Sequence, residues 1–242
     1  MTSTGRHGAA SARLARGGWL ASPCAVCHSW DGARLCRDCV ARFAAPASRC
    51  ERCAIEVPAG IAVCGACLRD PPSHDRTVAA VDYAHPWDGL ISAFKFHGAL
   101  DLAAVLAQRL VAAVEAAGSA RPDLLLPVPL GPPRLRERGY NQAWELARRV
   151  ARALDCRCDA RLLLRIKDTA QQLALPRARR AGNVRGAFLV EPSRAGELRG
   201  RDVALVDDVL TTGATAAEIA RVLKLAGAAN VQVWVLARTP KD

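Results

Sequence analysis

Apolar residues along 77–237 follow two periodicities, which predict strands and helices in alternation. Short apolar or alternating runs predict four strands, over 77–84, 123–130, 203–208 and 231–237. Helical spacing predicts helices over 86–98, 99–117, 141–154 and 211–226. Strands that alternate with helices favour right-handed β-α-β units, and therefore an α/β fold with a parallel sheet covered on both faces.

Other stretches interrupt this pattern and set the expected domain boundaries. Residues 1–22 carry arginines without an acidic residue or an apolar core, so we expect a disordered leader rather than a secretory signal. The run Asp-Pro-Pro-Ser-His-Asp at 70–75 is typical of a linker. We therefore expect a cysteine module over 23–70 and an α/β domain over 76–242. A long basic segment at 168–188 has the length of an active-site lid.

The net charge of the chain indicates which class of binding partner to expect. The 242 residues carry a formal net charge of +11, and residues 134–185 contribute 14 Lys and Arg against five Asp and Glu. This excess favours polyanionic partners, either nucleic acid or phosphate-rich substrates. Alternatively, it is an arginine-rich surface of a protein that binds no polyanion. No charge-free apolar stretch reaches the length of a membrane span, so no transmembrane segment is expected.

Eight of the ten cysteines form four C-x-x-C pairs near the N-terminus. Without a secretory signal, this spacing predicts zinc ligands rather than disulfides or a redox centre. Eight thiolates suit two closed, structural sites. Sequential pairing gives one site Cys24, Cys27, Cys36 and Cys39, and the other Cys50, Cys53, Cys64 and Cys67. Cross-braced pairing is the alternative. Cys156 and Cys158 are expected to be ordinary thiols.

The strand at 203–208 leads through two carboxylates, Asp207 and Asp208, into a Thr-Thr-Gly-Ala-Thr loop before a helix. Such a loop offers backbone N–H groups to an anion at a helix N-terminus. The carboxylates would repel a phosphate, so we expect them to accept hydrogen bonds from neutral ribose hydroxyls. A plain strand-turn-helix junction, with Asp as a turn residue and Thr as the helix N-cap, is the structural alternative.

Arginines from the segments 129–142 and 168–188 can face the same edge of the sheet. Guanidinium groups bind two oxygens at once, which suits a diphosphate, and Arg134 and Arg138 are candidates for that role. The alternative interpretation is that both arginines are exposed to solvent and bind no ligand. Asn141 is a natural N-cap for the helix that follows it.

Taken in order, these motifs resemble the ComF family of competence-associated, amidophosphoribosyltransferase-like proteins. The resemblance spans roughly residues 23–240. It comprises the four C-x-x-C pairs, Tyr83 through Lys95-Phe96-His97-Gly98, Pro127-Val-Pro-Leu, residues 134–142, Asp168 to Gln172, Asn183 to Phe188 and the Asp-Asp loop. Tyr140 stands where many members carry Phe, and Ala170 and Gln171 replace the residues usual before Gln172.

The resemblance implies a type I phosphoribosyltransferase fold with an N-terminal zinc ribbon. It implies that Asp207 and Asp208 hold the ribose hydroxyls of 5-phospho-α-D-ribosyl diphosphate (PRPP), and that the loop holds its 5-phosphate. The expected PRPP-binding residues are Val206, Asp207, Asp208, Thr211, Thr212, Gly213, Ala214 and Thr215. It also implies a role in natural transformation, in the bacterial cytoplasm, with single-stranded DNA at the inner face of the membrane and a helicase partner in some species.

Transfer of the phosphoribosyl group is the first functional hypothesis. Mg²⁺ would bridge the diphosphate and ribose hydroxyls, and Asp207, Asp208 and Arg138 are the expected catalytic residues. The expected diphosphate and lid residues are Val128, Pro129, Arg134, Arg138, Lys167, Gln172 and Arg180. A second hypothesis is a single-stranded-DNA-binding accessory protein regulated by PRPP. A zinc-ribbon adaptor with an inactive enzyme fold is the third, and the intact Asp-Asp and Thr-Gly positions argue against it.

Overall fold

The computed structural model of the protein describes residues 22–30, 32–167 and 184–240. The strands in these ranges are β1 (Arg76–Asp82), β2 (Leu124–Pro127), β3 (Arg157–Cys158), β4 (Leu163–Arg165), β5 (Phe188–Val190), β6 (Asp202–Leu210) and β7 (Asn230–Arg238). The α-helices are α1 (Arg37–Phe43), α2 (Gly65–Arg69), α3 (Trp87–Phe96), α4 (Ala103–Ala116), α5 (Pro132–Arg138), α6 (Gln142–Leu154) and α7 (Ala214–Leu225). Short 3-10 helices cover Leu100–Leu102 and Pro192–Leu198.

Five strands form one parallel sheet in the order β1-β7-β6-β2-β3. Parallel neighbours require crossover connections, and α7 supplies the one between β6 and β7. β4 and β5 form a separate antiparallel pair. The α/β fold class predicted from the alternating pattern is therefore confirmed.

Helices and the β4–β5 pair cover the two faces of the sheet. On one face, Leu125 and Val206 belong to a buried cluster with α3, α4 and α6. On the other face, Leu126 and Leu205 pack with α7 and the β4–β5 pair. Successive side chains along a strand point to opposite faces, so a strand buried on both faces needs apolar residues at nearly every position. This explains the continuous apolar runs of β2 and β6.

The cysteine-rich module lies against β1, an edge strand of the sheet. The backbone N–H of Thr77 donates to the Glu51 carbonyl at 2.7 Å, and its hydroxyl donates to the Arg52 carbonyl. Arg49 forms an ion pair with Asp82 at 2.8 Å. An uncovered edge strand presents unpaired backbone groups to other chains. The module therefore shields this edge.

Some predicted boundaries were wrong, for local reasons. The helix predicted over 99–117 begins instead with a 3-10 turn before α4. The helix predicted over 211–226 begins only at Ala214, because Gly213 has a left-handed φ of +82° that a helix cannot contain. The segment 129–142, in which no helix was predicted before Asn141, contains α5. None of the helices in the described ranges combines the length and apolar character that a bilayer-spanning segment needs.

Candidate functional site

The adjacent carboxylates lie where β6 extends beyond one of its neighbours. β6 pairs with β2 only as far as Val206 opposite Pro127, whereas its pairing with β7 continues to Leu210 opposite Arg238. Asp207 and Asp208 follow directly after the last pair with β2. Open parallel sheets bind ligands outside the carboxyl ends of their strands. The strand end therefore places both carboxylates at the edge where a ligand is expected.

Asp208 is buried and forms an ion pair with a lysine from α3. Its Oδ1 accepts a hydrogen bond from Lys95 Nζ at 2.9 Å. Its Oδ2 is also buried but has no hydrogen-bond partner among the described residues. A buried carboxylate oxygen without a donor is costly, and such atoms in native structures call for an explanation. A hydroxyl-bearing ligand would supply the missing donor.

Asp207 is half-buried beside Asp208, and its Oδ1 accepts the Asp208 backbone N–H at 2.8 Å. Burial and the neighbouring Asp208 charge raise the pKa of the Asp207 carboxyl to about 7, against the opposing effect of Lys95. Two adjacent carboxylates in a desolvated site disfavour each other's ionisation. The pair therefore resembles a functional site more than a turn, since a turn residue would be solvated.

The loop after β6 presents an uncapped helix N-terminus. Gly213 occupies the N-cap position of α7 and offers no side-chain cap, while Thr212 Oγ1 accepts the Ala214 N–H at 3.3 Å. The first N–H groups of a helix lack internal partners and carry positive dipole density. This end of α7 is therefore suited to an anion. A small cavity here is lined by Val128, Asp207, Thr211, Thr212, Gly213, Ala214 and Thr215, together with apolar residues of β6, α7 and β7.

The structure adds a residue that sequence reasoning missed: Arg238, buried at the end of β7. Its Nη1 donates to the carbonyls of Leu210 and Thr211 in the loop, at 2.9 and 2.5 Å. Its Nε donates to the carbonyl of Cys53 in the cysteine-rich module at 2.8 Å. One guanidinium thus fixes the loop and joins it to the module. An arginine at the end of a mostly apolar strand was the available signal.

The turn after β2 is held by Asn141, which the sequence predicted as an N-cap. Its Oδ1 accepts the N–H groups of Ala143 and Trp144 at the start of α6, which confirms the cap. Its Nδ2 donates to the Val128 carbonyl at 3.0 Å. Val128 and the adjacent Pro129 therefore stand at the same carboxyl edge as the two carboxylates.

The candidate arginines Arg134 and Arg138 both belong to α5. The Arg138 guanidinium stacks on the Phe96 ring at 4.7 Å from its centroid and donates to Gln142 Oε1 at 2.9 Å. Phe96 follows Lys95, which contacts Asp208. Arg138 is thus near the site but held by side chains of its own chain, and a ligand would have to compete for it.

The other predicted lid residues fall at or beyond the edge of the described chain. Lys167 is exposed, and its Nζ lies 3.3 Å from the position that a Cβ on Gly186 would occupy. Gly186 in turn donates its N–H to Glu218 of α7 at 2.8 Å. Lys167 therefore lies on the α7 side of the sheet. Gln172 and Arg180 lie outside the described residues.

The eight N-terminal cysteines form two separate clusters, and the sequential pairing is confirmed. Cys24, Cys27, Cys36 and Cys39 form one, and Cys50, Cys53, Cys64 and Cys67 the other, with the sulfurs of each group within 4.8 Å of one another. The Sγ atoms of Cys27 and Cys36 are 3.6 Å apart, and those of Cys53 and Cys64 are 3.7 Å apart. Tetrahedral zinc with Zn–S bonds of about 2.3 Å needs sulfurs about 3.8 Å apart. Both clusters therefore fit zinc.

Backbone N–H groups point at the sulfurs, as expected around thiolates. The N–H of Cys36 lies 3.4 Å from Cys24 Sγ, and the N–H of Cys64 lies 3.3 Å from Cys50 Sγ. Burial opposes ionisation of the Cys24 thiol, but the backbone donors, led by Cys36, outweigh it and lower its pKa to about 6. Burial and the neighbouring sulfurs raise the pKa of Cys39 and Cys67. Each cluster thus holds thiols that ionise readily beside thiols that need a cation.

Comparison with known proteins gives three matches of interest. A phosphoribosyl transferase domain model matches residues 141–242. The chain is 36% identical over 226 residues to DNA utilization protein YhgH of Escherichia coli (strain K12), covering 91% of this chain and 96% of that protein. It is 38% identical over 193 residues to Competence protein F of Haemophilus influenzae, covering 78% of this chain and 84% of that protein.

A solved structure of glutamine PRPP amidotransferase from B. subtilis, complexed with ADP and GMP, is also similar. It shares 23% sequence identity and covers 56% of this chain and 25% of its own, with a TM-score of 0.36.

Proposed function

This chain belongs to the ComF family of phosphoribosyltransferase-like proteins, and on that premise we propose that it binds PRPP at the carboxyl edge of its sheet. The further proposal is Mg²⁺-dependent transfer of the phosphoribosyl group from PRPP to an acceptor. The relatives' names connect the family with DNA utilization and competence. For this chain, we propose a role in DNA uptake during natural transformation.

The observation that carries the proposal is the pairing of two different subsites at the end of β6. The uncapped N-terminus of α7 offers N–H groups to a phosphate. Asp207 and Asp208, a few residues earlier, offer carboxylate oxygens to neutral hydroxyls, and one of these oxygens, on Asp208, is buried without a donor from the part of the chain that the structure describes. A ribose 5-phosphate carries both chemical groups. A bare phosphate would leave the carboxylates unused, and a plain sugar would leave the helix terminus unused.

Magnesium is compatible with this site, because carboxylate, hydroxyl and diphosphate oxygens form the hard donor set that it prefers. When bound, it would neutralise charge on the diphosphate. The chain's own residues have the remaining tasks. Lys95 pairs with Asp208 and holds its carboxylate in place, and Arg238 fixes the loop carbonyls. Glycosyl transfer passes through an oxocarbenium-like state. Arg134, Arg138 and Lys167 are the proposed ligands of the leaving diphosphate, together with Gln172 and Arg180.

The loop can be tested with a matched pair of glycine variants. Gly213 and Gly118 both have positive φ, and a Cβ added to either meets no atom within 4 Å. Gly213→Val and Gly118→Val therefore impose comparable backbone strain, but only the first alters the loop. In calorimetric titrations with Mg²⁺ and PRPP, we expect Gly213→Val to weaken binding by about tenfold or more and Gly118→Val to leave it unchanged. Equal affinities would refute a PRPP site at this loop.

A second candidate function is a single-stranded-DNA-binding accessory protein in which PRPP is a regulator. It is favoured by the relatives' names and by the net charge of +9 over residues 134–185, from 14 basic and five acidic residues. A competence helicase is the proposed partner in that case. Contacts to the DNA backbone predict binding that weakens steeply with salt. No binding at low salt would rule this function out.

One assay separates transfer from regulation. Diphosphate release from PRPP is measured with candidate nitrogen bases and with single-stranded DNA. Release that depends on an added acceptor supports the transferase. PRPP binding without release under any of these conditions, together with DNA binding, supports the accessory role.

The cysteine clusters complete the proposal with a structural role for zinc. Both are closed four-thiolate sets, which leave no position open for a substrate. We propose one zinc ion in each cluster, a double ribbon over 23–70 and a phosphoribosyltransferase domain over 76–242. On this account the protein acts in the cytoplasm and reaches the inner face of the membrane through partners.

A further inference from the structure

A second and larger cavity lies between the cysteine-rich module, β1 and α4. Its volume is about 500 Å³, within the range typical of small-molecule sites. Its walls come from five residues between 44 and 51 of the module, from Arg76–Ala80 of β1 and from the C-terminal half of α4. It shares no lining residue with the cavity at the Asp207–Thr215 loop. The two cavities are therefore separate.

The space exists because α4 presents a stripe of small residues to it. Arg109, Ala112, Ala113 and Ala116 recur at helical spacing along the cavity wall. Larger apolar residues at the three alanine positions would fill the gap between α4 and the module. The module contributes small residues as well, including Ala44 and Ala47. The walls are thus mostly methyl groups, with arginine as the main source of charge.

Arg109 is a charged residue in the cavity wall whose side chain contacts no polar partner in the described part of the chain. Its side chain is half-buried, and among the described residues it has no hydrogen-bond or ion-pair partner. Burial lowers the pKa of its guanidinium, because nothing offsets the desolvation of the charge. Glu51, the carboxylate in the lining, is exposed and does not pair with Arg109. An anion in the cavity would supply the missing partner.

Two further arginines face the same cavity but are already anchored. Arg49 Nη1 donates to Asp82 and to the Ala54 carbonyl, and Arg76 Nη2 donates to the Ala117 carbonyl. Each of these contacts uses one terminal nitrogen of a group that carries five N–H donors. Arg76 therefore adds fixed positive charge, the charge of Arg49 is offset by Asp82, and both side chains retain donors. The anchors also make the site preorganised.

We propose that this cavity binds a small organic anion whose phosphate or carboxylate pairs with Arg109 and whose flat, apolar body packs on the alanine wall of α4. Guanidinium groups bind either oxyanion through two parallel hydrogen bonds. The cavity runs along Arg76–Ala80 of the edge strand β1, whereas Asp207 and Asp208 lie in the C-terminal half of β6, which β7 separates from β1. The two sites therefore lie on different strands of the sheet.

Naphthalene derivatives test this directly, because they combine a flat apolar body with intrinsic fluorescence. The full, zinc-loaded chain is titrated with 1-naphthyl phosphate, with 1-naphthoate and with neutral 1-naphthalenemethanol. The variants are Arg109→Gln and the control Arg152→Gln, which removes an exposed charge from the last turn of α6. The series is repeated in the Gly213→Val background, so that any binding of the phosphate at the loop is weakened. Thermal melts and zinc content check that the variants fold.

We expect at least one anionic probe to bind, and Arg109→Gln to weaken that probe by about tenfold or more, while Arg152→Gln and Gly213→Val leave it unchanged. Whether the phosphate or the carboxylate binds more tightly identifies the anion. The proposal is overturned if neither anion binds, if the neutral alcohol binds as tightly as the anions, if Arg109→Gln has no effect, or if Gly213→Val abolishes the signal.

Discussion

At the scale of single residues, the site combines two carboxylates with different environments. Asp208 is buried and paired with Lys95, whereas Asp207 is half-buried and shares its surroundings with a like charge. This arrangement costs stability in the free protein. A ligand that supplies hydroxyl donors and a cation would relieve it. Stability and ligand binding should therefore change in opposite directions when Asp207 is altered.

Replacing Asp207 with asparagine should stabilise the ligand-free protein at pH 8. The folded-state pKa of about 7 lies above the value of roughly 3.9 for an unfolded chain, so ionisation costs folding free energy. The cost is absent below about pH 4, grows up to about pH 7 and is then constant. We expect Asp207→Asn to gain about 1–3 kcal/mol over the wild type at pH 8 and little at pH 4.5, measured by urea unfolding. A gain that does not depend on pH would contradict this assignment.

Removing Lys95 should have the opposite effect. Lys95→Met would leave both oxygens of the buried Asp208 carboxylate without a partner, which typically costs about 3–5 kcal/mol. Adding Asp208→Asn to the same chain should recover much of that loss, because the uncompensated charge is gone. Urea unfolding of the two single variants and the double variant measures the coupling. A loss below about 1 kcal/mol, or no recovery in the double variant, would mean that the ion pair is not formed.

At the scale of elements, the sequence predicted those that bury an apolar pattern and missed those that do not. β6, β7 and α6 lie within two residues of their predicted bounds. α5 buries none of its residues, so no apolar stripe could reveal it. β3, β4 and β5 have two or three residues each, and strands this short cannot show a recognisable alternation of apolar and polar residues. The domain boundaries proposed at 23–70 and 76–242 stay predictions.

The same limit applies to the site. The Asp-Asp loop could be found because its residues are adjacent in the chain. Lys95 and Arg238 could not be assigned their contacts, because Lys95 meets Asp208 across 113 positions and Arg238 meets Cys53 across 185. Such pairs depend on tertiary packing, which no local periodicity encodes. The sequence thus predicted where the loop lies in the chain but not the tertiary contacts of Lys95 and Arg238 that hold it in place.

The contacts of Arg238 lead to a prediction about the two cysteine clusters. It bonds both to Cys53 and to the loop, so opening the second cluster should loosen the loop. We expect Cys67→Ser to weaken PRPP binding by about tenfold, and Cys39→Ser in the first cluster to change it less than about threefold. Each variant should lose one of two zinc ions, measured by elemental analysis. Equal effects on PRPP would remove Arg238 as the connection, and Arg238→Lys provides a test that leaves both clusters intact.

At the scale of the whole molecule, one parallel sheet separates two kinds of site. The carboxylates lie in the C-terminal half of β6 and the uncapped helix follows that strand, while the arginine-lined cavity runs along Arg76–Ala80 of β1. The cysteine-rich module contacts both, through Arg238 on one side and residues 44–51 on the other. The module is therefore part of the architecture that supports binding. Its removal should affect more than the exposed edge of β1.

The central claim is that Asp207 and Asp208 hold the ribose of PRPP. It is tested most directly by calorimetric titration of Mg²⁺-PRPP into the wild type and into the Asp207→Asn, Asp208→Asn double variant at pH 8. The wild type should bind one PRPP per chain, and the double variant should bind at least about a hundredfold more weakly although its fold is intact. Equal binding by the two proteins, or no binding by the wild type, would contradict the account.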